Sequence, residues 1–266
     1  MYKKVSVLMT VYNDGNRYLE QSILSILNQT YQDFEFVIVN DGSTDNSSEI
    51  INTKAKKDER IVFVNRSKNM GRSYSLNEGL SKCTGDFIFI NDADDISDVQ
   101  RIYTSLDYFD KNIKDKDKFG LLGTAFKTYH TNKGDKTDHY LKYGILFKNK
   151  FPMWRLFIGM PFPHSSIMYS KKALDKVGGF STEVSSGIDY LTLLKIANNN
   201  AIYGINQILV ERVVDGNNFF MQKKISEINE RNKEIIEKWE KENVKLSIFH
   251  GIPTKIYDFI KKTKKI

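Results

Sequence analysis

The chain has 266 residues, 40% of them hydrophobic and 12% aromatic, enough apolar mass for a large buried core, so a wholly disordered protein is excluded. The formal charge of +7 is uneven: residues 221–266 hold 12 Lys or Arg against 7 Asp or Glu, and no basic stripe interleaved with aromatics is present, which excludes nucleic acid as a partner. A single Cys83 cannot close an internal disulfide, and without a Cys/His cluster there is no zinc motif.

A reducing cytoplasm suits this cysteine content. The first ten residues lack the apolar core and cleavage site of a secretory signal, and no run approaches the roughly 18 apolar residues of a membrane span. The expected location is the cytoplasm, with at most peripheral contact with the inner face of a membrane.

In chain order, residues 5–11 read as an apolar strand, and residues 16–28 carry Leu19, Ile23, Ile26 and Leu27 at helical spacing. A second strand over 34–39 runs into Asp41-Gly42-Ser43-Thr44-Asp45, a turn with cap residues for a helix reaching about Lys57. A strand over 61–64, a helix over 73–81 and a strand over 87–90 repeat the alternation. The fold class is therefore α/β, with parallel βαβ units whose ligands gather beyond the carboxyl ends of the strands. Thr10 to Asn13, Asn40-Asp41 and Asn91 to Asp95 all lie there, so three segments converge on one crevice.

After Phe126 the alternation fades: residues 127–150 look like a long loop or a weak antiparallel hairpin. Residues 188–197 are helical, and 221–245 form a long charged helix with Ile225, Ile228, Ile235, Ile236 and Trp239 on its apolar side. The organisation expected is a domain over 1–220, divided at 126, followed by a basic helical extension over 221–266.

The acidic loop after the fourth strand carries most of the chemistry. Asp92, Asp94 and Asp95 repel one another unless a cation sits among them, and Mg²⁺ or Mn²⁺ takes one or two carboxylates plus substrate phosphate oxygens. Taken alone, the same three acids also fit a solvated turn.

The motifs Val5 to Asn13, Val39 to Asp45, Asn69 to Gly79 with Thr84-Gly85-Asp86, and Asp92-Ala93-Asp94-Asp95, joined by Gly178-Gly179-Phe180 and Ile188-Asp189-Tyr190, resemble glycosyltransferase family 2 of the GT-A fold. The resemblance implies a Rossmann-like, mostly parallel central sheet with helices on both faces, a nucleotide-sugar-binding half over 1–126 and an acceptor half over 127–220. It implies an inverting transfer from a nucleoside diphosphate sugar, UDP-linked, to a surface-glycan or lipid-linked glycan, with Mn²⁺ or Mg²⁺ as cofactor. Thr10, Tyr12, Asn13 and Asp41 would hold the nucleoside, Asp41 accepting an imide N–H that uracil, thymine or guanine offers. Arg72, Asn77, Asp92 and Ala93 would meet the rest of the donor, Asp92 and Asp94 the metal, and His164 would face the site. Asp189 would be the general base. Asp95 would serve as a helix cap, the reading that also stands open for Asp41 and Asp189.

Several positions depart from the family pattern. Ile188 replaces the usual Glu before the base, Ser75-Leu76-Asn77 replaces Ala-Arg-Asn so that Arg72 must supply the cation, and Val214 stands at a His position that Asp215 or water would have to cover. These changes motivate a rival, a non-catalytic nucleotide-sugar-binding scaffold. A nucleotidyltransferase is disfavoured because the loop after the first strand lacks its Gly-rich, basic character. In the tail, Ile256, Phe259 and Ile260 among lysines give the pattern of a short helix drawn to anionic lipid, with a solvated terminus as the alternative.

Overall fold

The computed structural model describes residues 4–15, 18–131, 134–139, 141, 150–151, 156–157, 159–184, 186–214 and 225–242. The expectations for the start of the first helix at Asn16, for Asp215 and for the tail lie outside them.

The first half alternates as expected: β1 (Val5–Val11), α1 (Leu19–Leu27), β2 (Phe34–Asn40), α2 (Ser47–Ala55), β3 (Ile61–Asn65), α3 (Arg72–Lys82) and β4 (Phe87–Ile90). β3, β2, β1 and β4 lie side by side in parallel register. Their continuous apolar runs follow from burial on both faces. Leu8, Val37, Val39, Ile88 and Ile90 enter one core with Leu76 and Leu80 of α3, while Val7, Met9, Phe36, Ile38 and Phe89 enter the other with Leu19 and Ile23 of α1.

The second half is more ordered than its sequence suggests. β5 (Asp95–Ser97), α4 (Arg101–Asn112), β6 (Phe119–His130), β7 (Asp135–His139), β8 (Met168–Ser170), α5 (Lys171–Lys176), α6 (Ile188–Ala197) and β9 (Ala201–Val214) extend the sheet to the order β3-β2-β1-β4-β8-β6-β9-β5, with β7 on β6. The weak hairpin is present, because β6 and β7 pair antiparallel from Phe126 to His139. Of the two alternatives it is the hairpin that the described residues show, with β6 continuing the sheet as a 12-residue strand paired in parallel with the 14-residue β9. α4 buries Ile102, Ser105, Leu106 and Phe109, an i, i+3, i+4, i+7 stripe.

Asp95 does not cap a helix. It lies in β5, while Asp98 closes the start of α4 by accepting Gln100 N–H at 2.8 Å on its carboxylate and Arg101 N–H at 3.0 Å on its carbonyl.

The last described helix, α7 (Ile225–Glu242), joins the core around α6 through Ile235, Ile236 and Trp239. The Trp239 indole N–H donates to the Leu194 carbonyl at 3.1 Å. No helix among the described residues is long and apolar enough to cross a membrane.

Candidate active site

A cavity of about 880 Å³ opens where the carboxyl ends of β1, β2 and β4 meet α3, α6, β9 and α7. Thr10, Tyr12, Asp41, Arg72, Asp92, His164 and Asp189 all line it, so seven of the candidate residues share one surface.

Asp41 is 3% exposed and already well hydrogen-bonded. One carboxylate oxygen accepts from Arg66 Nη1 at 3.0 Å and Met70 N–H at 2.9 Å, and the other from Gly71 N–H at 2.8 Å. One lone pair of the second oxygen is left for a ligand. Gly42 is required next to it: its φ is +69°, and any β-carbon would fall 2.3 Å from the backbone of Lys68. That close approach draws the loop before α3 down onto β2 and sets Arg72 at the cavity.

Arg72 joins two site residues. Its Nη2 donates to an Asp92 carboxylate oxygen and approaches His164 Nδ1 at 3.2 Å. Because a guanidinium only donates, Nδ1 must be the acceptor and the proton of neutral His164 sits on Nε2. Burial, with Arg72 beside it, pushes His164 down to about 4. Burial is the largest influence on Asp92 and works to raise it, but Arg72 and the other neighbours together hold the carboxyl below its ordinary value.

Behind Asp92 a polar framework fixes the acidic loop. Ser22 Oγ donates toward the Asp92 and Asp95 carbonyls at 3.0 and 2.7 Å and accepts from Asn91 Nδ2 at 2.8 Å. Arg101, 1% exposed, sends Nη1 to Ser97 Oγ at 3.0 Å and Nη2 to the Ile90 carbonyl at 2.8 Å. Asp95 accepts from Ser165 Oγ and from Val213 N–H at 3.3 Å, and burial, reinforced by Asp94 and Asp92, raises it to about 8. Of these supports Asp95 belongs to a recognised motif, whereas Ser22 and Arg101 carry no motif signal. Ser22 and Arg101 read as ordinary helix residues, and only their contacts reveal them.

Four expected residues stand outside the lining. Asn13, in the left-handed region at φ 57°, spends its side-chain oxygen on Thr44 N–H at 2.8 Å and so ties the β1 loop to the β2 loop. Asn77 pairs with the backbone of Phe180 in both directions, at 2.8 and 2.9 Å, and braces α3 against the segment leading to α6. Ala93 is packed in the core beneath the loop. Asp94 is partly buried one step beyond Asp92, close enough to act electrostatically on Arg72 and Asp95.

Asp189, in the first turn of α6, faces the cavity beside Ile188, which fills a core position. The N-cap of that helix is Gly187, so Asp189 is not the cap. Val214 is buried at the end of β9.

A divalent ion fits the donor set here only in part. Asp92 and Asp94 are hard oxygen ligands of the kind Mg²⁺ and Mn²⁺ prefer, and both lie close enough to Asp95 to add to the effect of burial on it. No group of three or more His, Cys, Asp or Glu among the described residues forms a complete protein site, so phosphate oxygens would have to complete the shell.

The family model described as Glycosyl transferase family 2 matches residues 6–178. An uncharacterized glycosyltransferase of Rickettsia bellii is 31% identical over 218 residues, 81% of this chain and 29% of the relative. The hyaluronan synthase of Pasteurella multocida is 30% identical over 224 residues, 82% of this chain and 21% of the synthase. S. aureus TarS 1–349 in complex with UDP-GlcNAc superposes with a TM-score of 0.70 at 20% identity, over 91% of this chain and 66% of that one. PcManGT of Pyrobaculum calidifontis, in complex with GDP-Man and Mn²⁺, gives 0.66 at 18% identity, over 97% of this chain and 70% of that one. These neighbours share the GT-A fold. The chain spans 38%, 29% and 43% of three curated relatives that it matches, well under half of each.

Proposed function

The chain belongs to glycosyltransferase family 2, and from that membership we propose that it transfers a sugar from a UDP-linked donor to a hydroxyl of a surface-glycan or lipid-linked glycan acceptor, with inversion. The observation that carries this reading is the single cavity shared by Thr10, Tyr12 and Asp41, by Arg72 and Asp92, and by Asp189. Tyr12, 49% exposed, is free to cover a base, and the remaining lone pair of Asp41 suits an imide N–H. TarS, a structural neighbour, binds UDP-GlcNAc, and PcManGT binds GDP-Man with Mn²⁺, which supports a nucleotide-sugar donor.

In the proposed reaction Asp189 takes the proton of the acceptor hydroxyl as its oxygen attacks the anomeric carbon from the face opposite the nucleotide. The sugar–phosphate bond breaks, and Arg72 receives part of the negative charge that gathers on the departing diphosphate. Asp92 and Asp94 would hold Mn²⁺ or Mg²⁺, whose Lewis acidity neutralises that same charge. Holding Arg72 between Asp92 and His164 keeps the cation aimed at the cavity before any donor arrives.

The test is release of UDP from UDP-sugars in the presence of Mn²⁺ and of candidate acceptors. Asp94→Ala and Asp189→Asn are expected to keep the melting profile and each lose about 10²-fold or more in turnover. Near-normal rates in either variant would remove that residue from the mechanism.

A further inference from the structure

We propose that His164 and Tyr169 are positioning residues for the base: their ring N–H and phenol O–H are the donors that orient the Asp189 carboxylate as it takes the acceptor proton. This deepens the sugar-transfer reading above and rests on it.

Two buried side-chain atoms beside the site, Nε2 of His164 and the hydroxyl of Tyr169, have no hydrogen-bond partner among the described residues. His164 is 6% exposed and Tyr169 is fully buried. A buried donor left unsatisfied destabilises the fold, so such a group calls for a functional explanation. The donor character of both is fixed. Arg72 Nη2 approaches His164 Nδ1 at 3.2 Å and a guanidinium only donates, which leaves the ring proton on Nε2. Burial pushes His164 down to about 4 and Tyr169 well above its ordinary value, so the ring is neutral and the phenol keeps its proton.

Packing brings both side chains under α6. Tyr169 belongs to β8, held between Ile88 of β4 and Leu121 of β6, and its side chain enters the core that contains Leu191 and Leu194 of α6. The rings of His164 and Tyr169 meet edge-on with centroids 5.9 Å apart, and each meets the Phe180 ring edge-on at 5.7 Å. The next residue, Ser181, donates its backbone N–H to Thr192 Oγ1 at 3.2 Å. Thr192 lies three residues after Asp189, on the same face of α6. That face therefore rests on the segment that packs against both rings. Asp189 is correspondingly close enough to act electrostatically on His164 and on Tyr169, in each case ahead of Asp92.

Ile188, the neighbour of Asp189 on the cavity, offers it no side-chain hydrogen bond. Two neutral donors supply what that neighbour lacks: they fix the direction of the carboxylate and favour its ionised form. Hydrogen bonds of a catalytic group are often long before substrate is bound and tighten in the reacting complex. Because Arg72 sets the His164 proton, the same device links the diphosphate end of the cavity to the base.

The experiment measures UDP release from UDP-sugars with Mn²⁺, water or an added acceptor taking the sugar, beside melting curves. Tyr169→Phe keeps the ring and deletes the unpartnered hydroxyl. Its melting temperature should stay level or rise, its UDP affinity should match the wild type, and its kcat should fall about ten- to hundredfold. In the Asp189→Asn background the same change should cost nothing further, because the hydroxyl acts through that carboxylate. His164→Gln, which can place an amide N–H near the position of Nε2, should retain more turnover than His164→Leu, and equal losses would overturn the part given to His164. Wild-type turnover in Tyr169→Phe, a lowered melting temperature, or an equal further loss in the Asp189→Asn background would overturn the inference while the wild type still releases UDP. A wild type that releases UDP from no donor would instead sink the sugar-transfer reading itself, and this inference with it.

Discussion

At the scale of single residues, the site depends on polar groups whose charge state is set by burial. His164 is 6% exposed and is pushed down to about 4 by desolvation and then by Arg72, so it stays neutral in the folded protein where an unfolded chain would begin to bind a proton. The sign follows: below about pH 6.5 the unfolded state gains a proton that the native state refuses, and stability falls as pH drops toward 4, by roughly 3 kcal/mol in all. Urea melts at pH 7 and pH 4.5 should show the wild type losing more stability on acidification than His164→Gln, and equal losses would mean that the ring is not buried neutral. Arg101 makes a second residue-scale case. It joins β4, β5 and the segment before β8 by donating to Ile90, Ser97 and, at 3.3 Å, to the Ile167 carbonyl. Arg101→Met keeps the bulk and deletes the donors, leaving buried acceptors unpaired at about 1–3 kcal/mol each, so a loss of about 3 kcal/mol in chemical unfolding is expected.

At the scale of elements, α7 is a wall of the site as well as a piece of core. Its Ile235, Ile236 and Trp239 pack with α6, and the next turn toward its start presents Ile228, Arg231 and Asn232 to the cavity. Trp239 is 4% exposed, 5.4 Å from Phe157 ring to ring, and hydrogen-bonded to Leu194. Trp239→Ala should cost about 3–5 kcal/mol and raise the KM for acceptor while UDP affinity holds, as isothermal titration with UDP beside initial-rate kinetics would read out. An unchanged acceptor KM would separate the helix from the site. The apolar side of this helix was legible because Ile235, Ile236 and Trp239 keep helical spacing. β6 and β9 were not: β9 interrupts its apolar residues with Asn206, Gln207, Glu211 and Arg212, because one end of it forms a cavity wall and an edge that β5 covers. Strands that build a site carry its polar residues, and the alternation that marks a strand is lost there.

At the scale of the molecule, sequence separation and spatial position part company. The crevice at the ends of β1, β2 and β4 was readable because short apolar strands alternate with helices, and parallel topology then dictates where their loops meet. Asp41, Asp92 and Asp189 come from segments about 50 and 100 residues apart, and the sheet brings them to one cavity. What stayed hidden were the couplings between segments, such as Asn77 with Phe180 or Asp95 with Ser165, since a side chain that bonds a distant backbone leaves no local pattern. The account is tested most directly by a crystal structure of the protein with UDP and Mn²⁺. The uracil is expected between Tyr12 and the free lone pair of Asp41, with the diphosphate and the ion among Arg72, Asp92 and Asp94. A nucleotide bound elsewhere, or Asp92 and Asp94 turned to solvent with no ion between them, would contradict it.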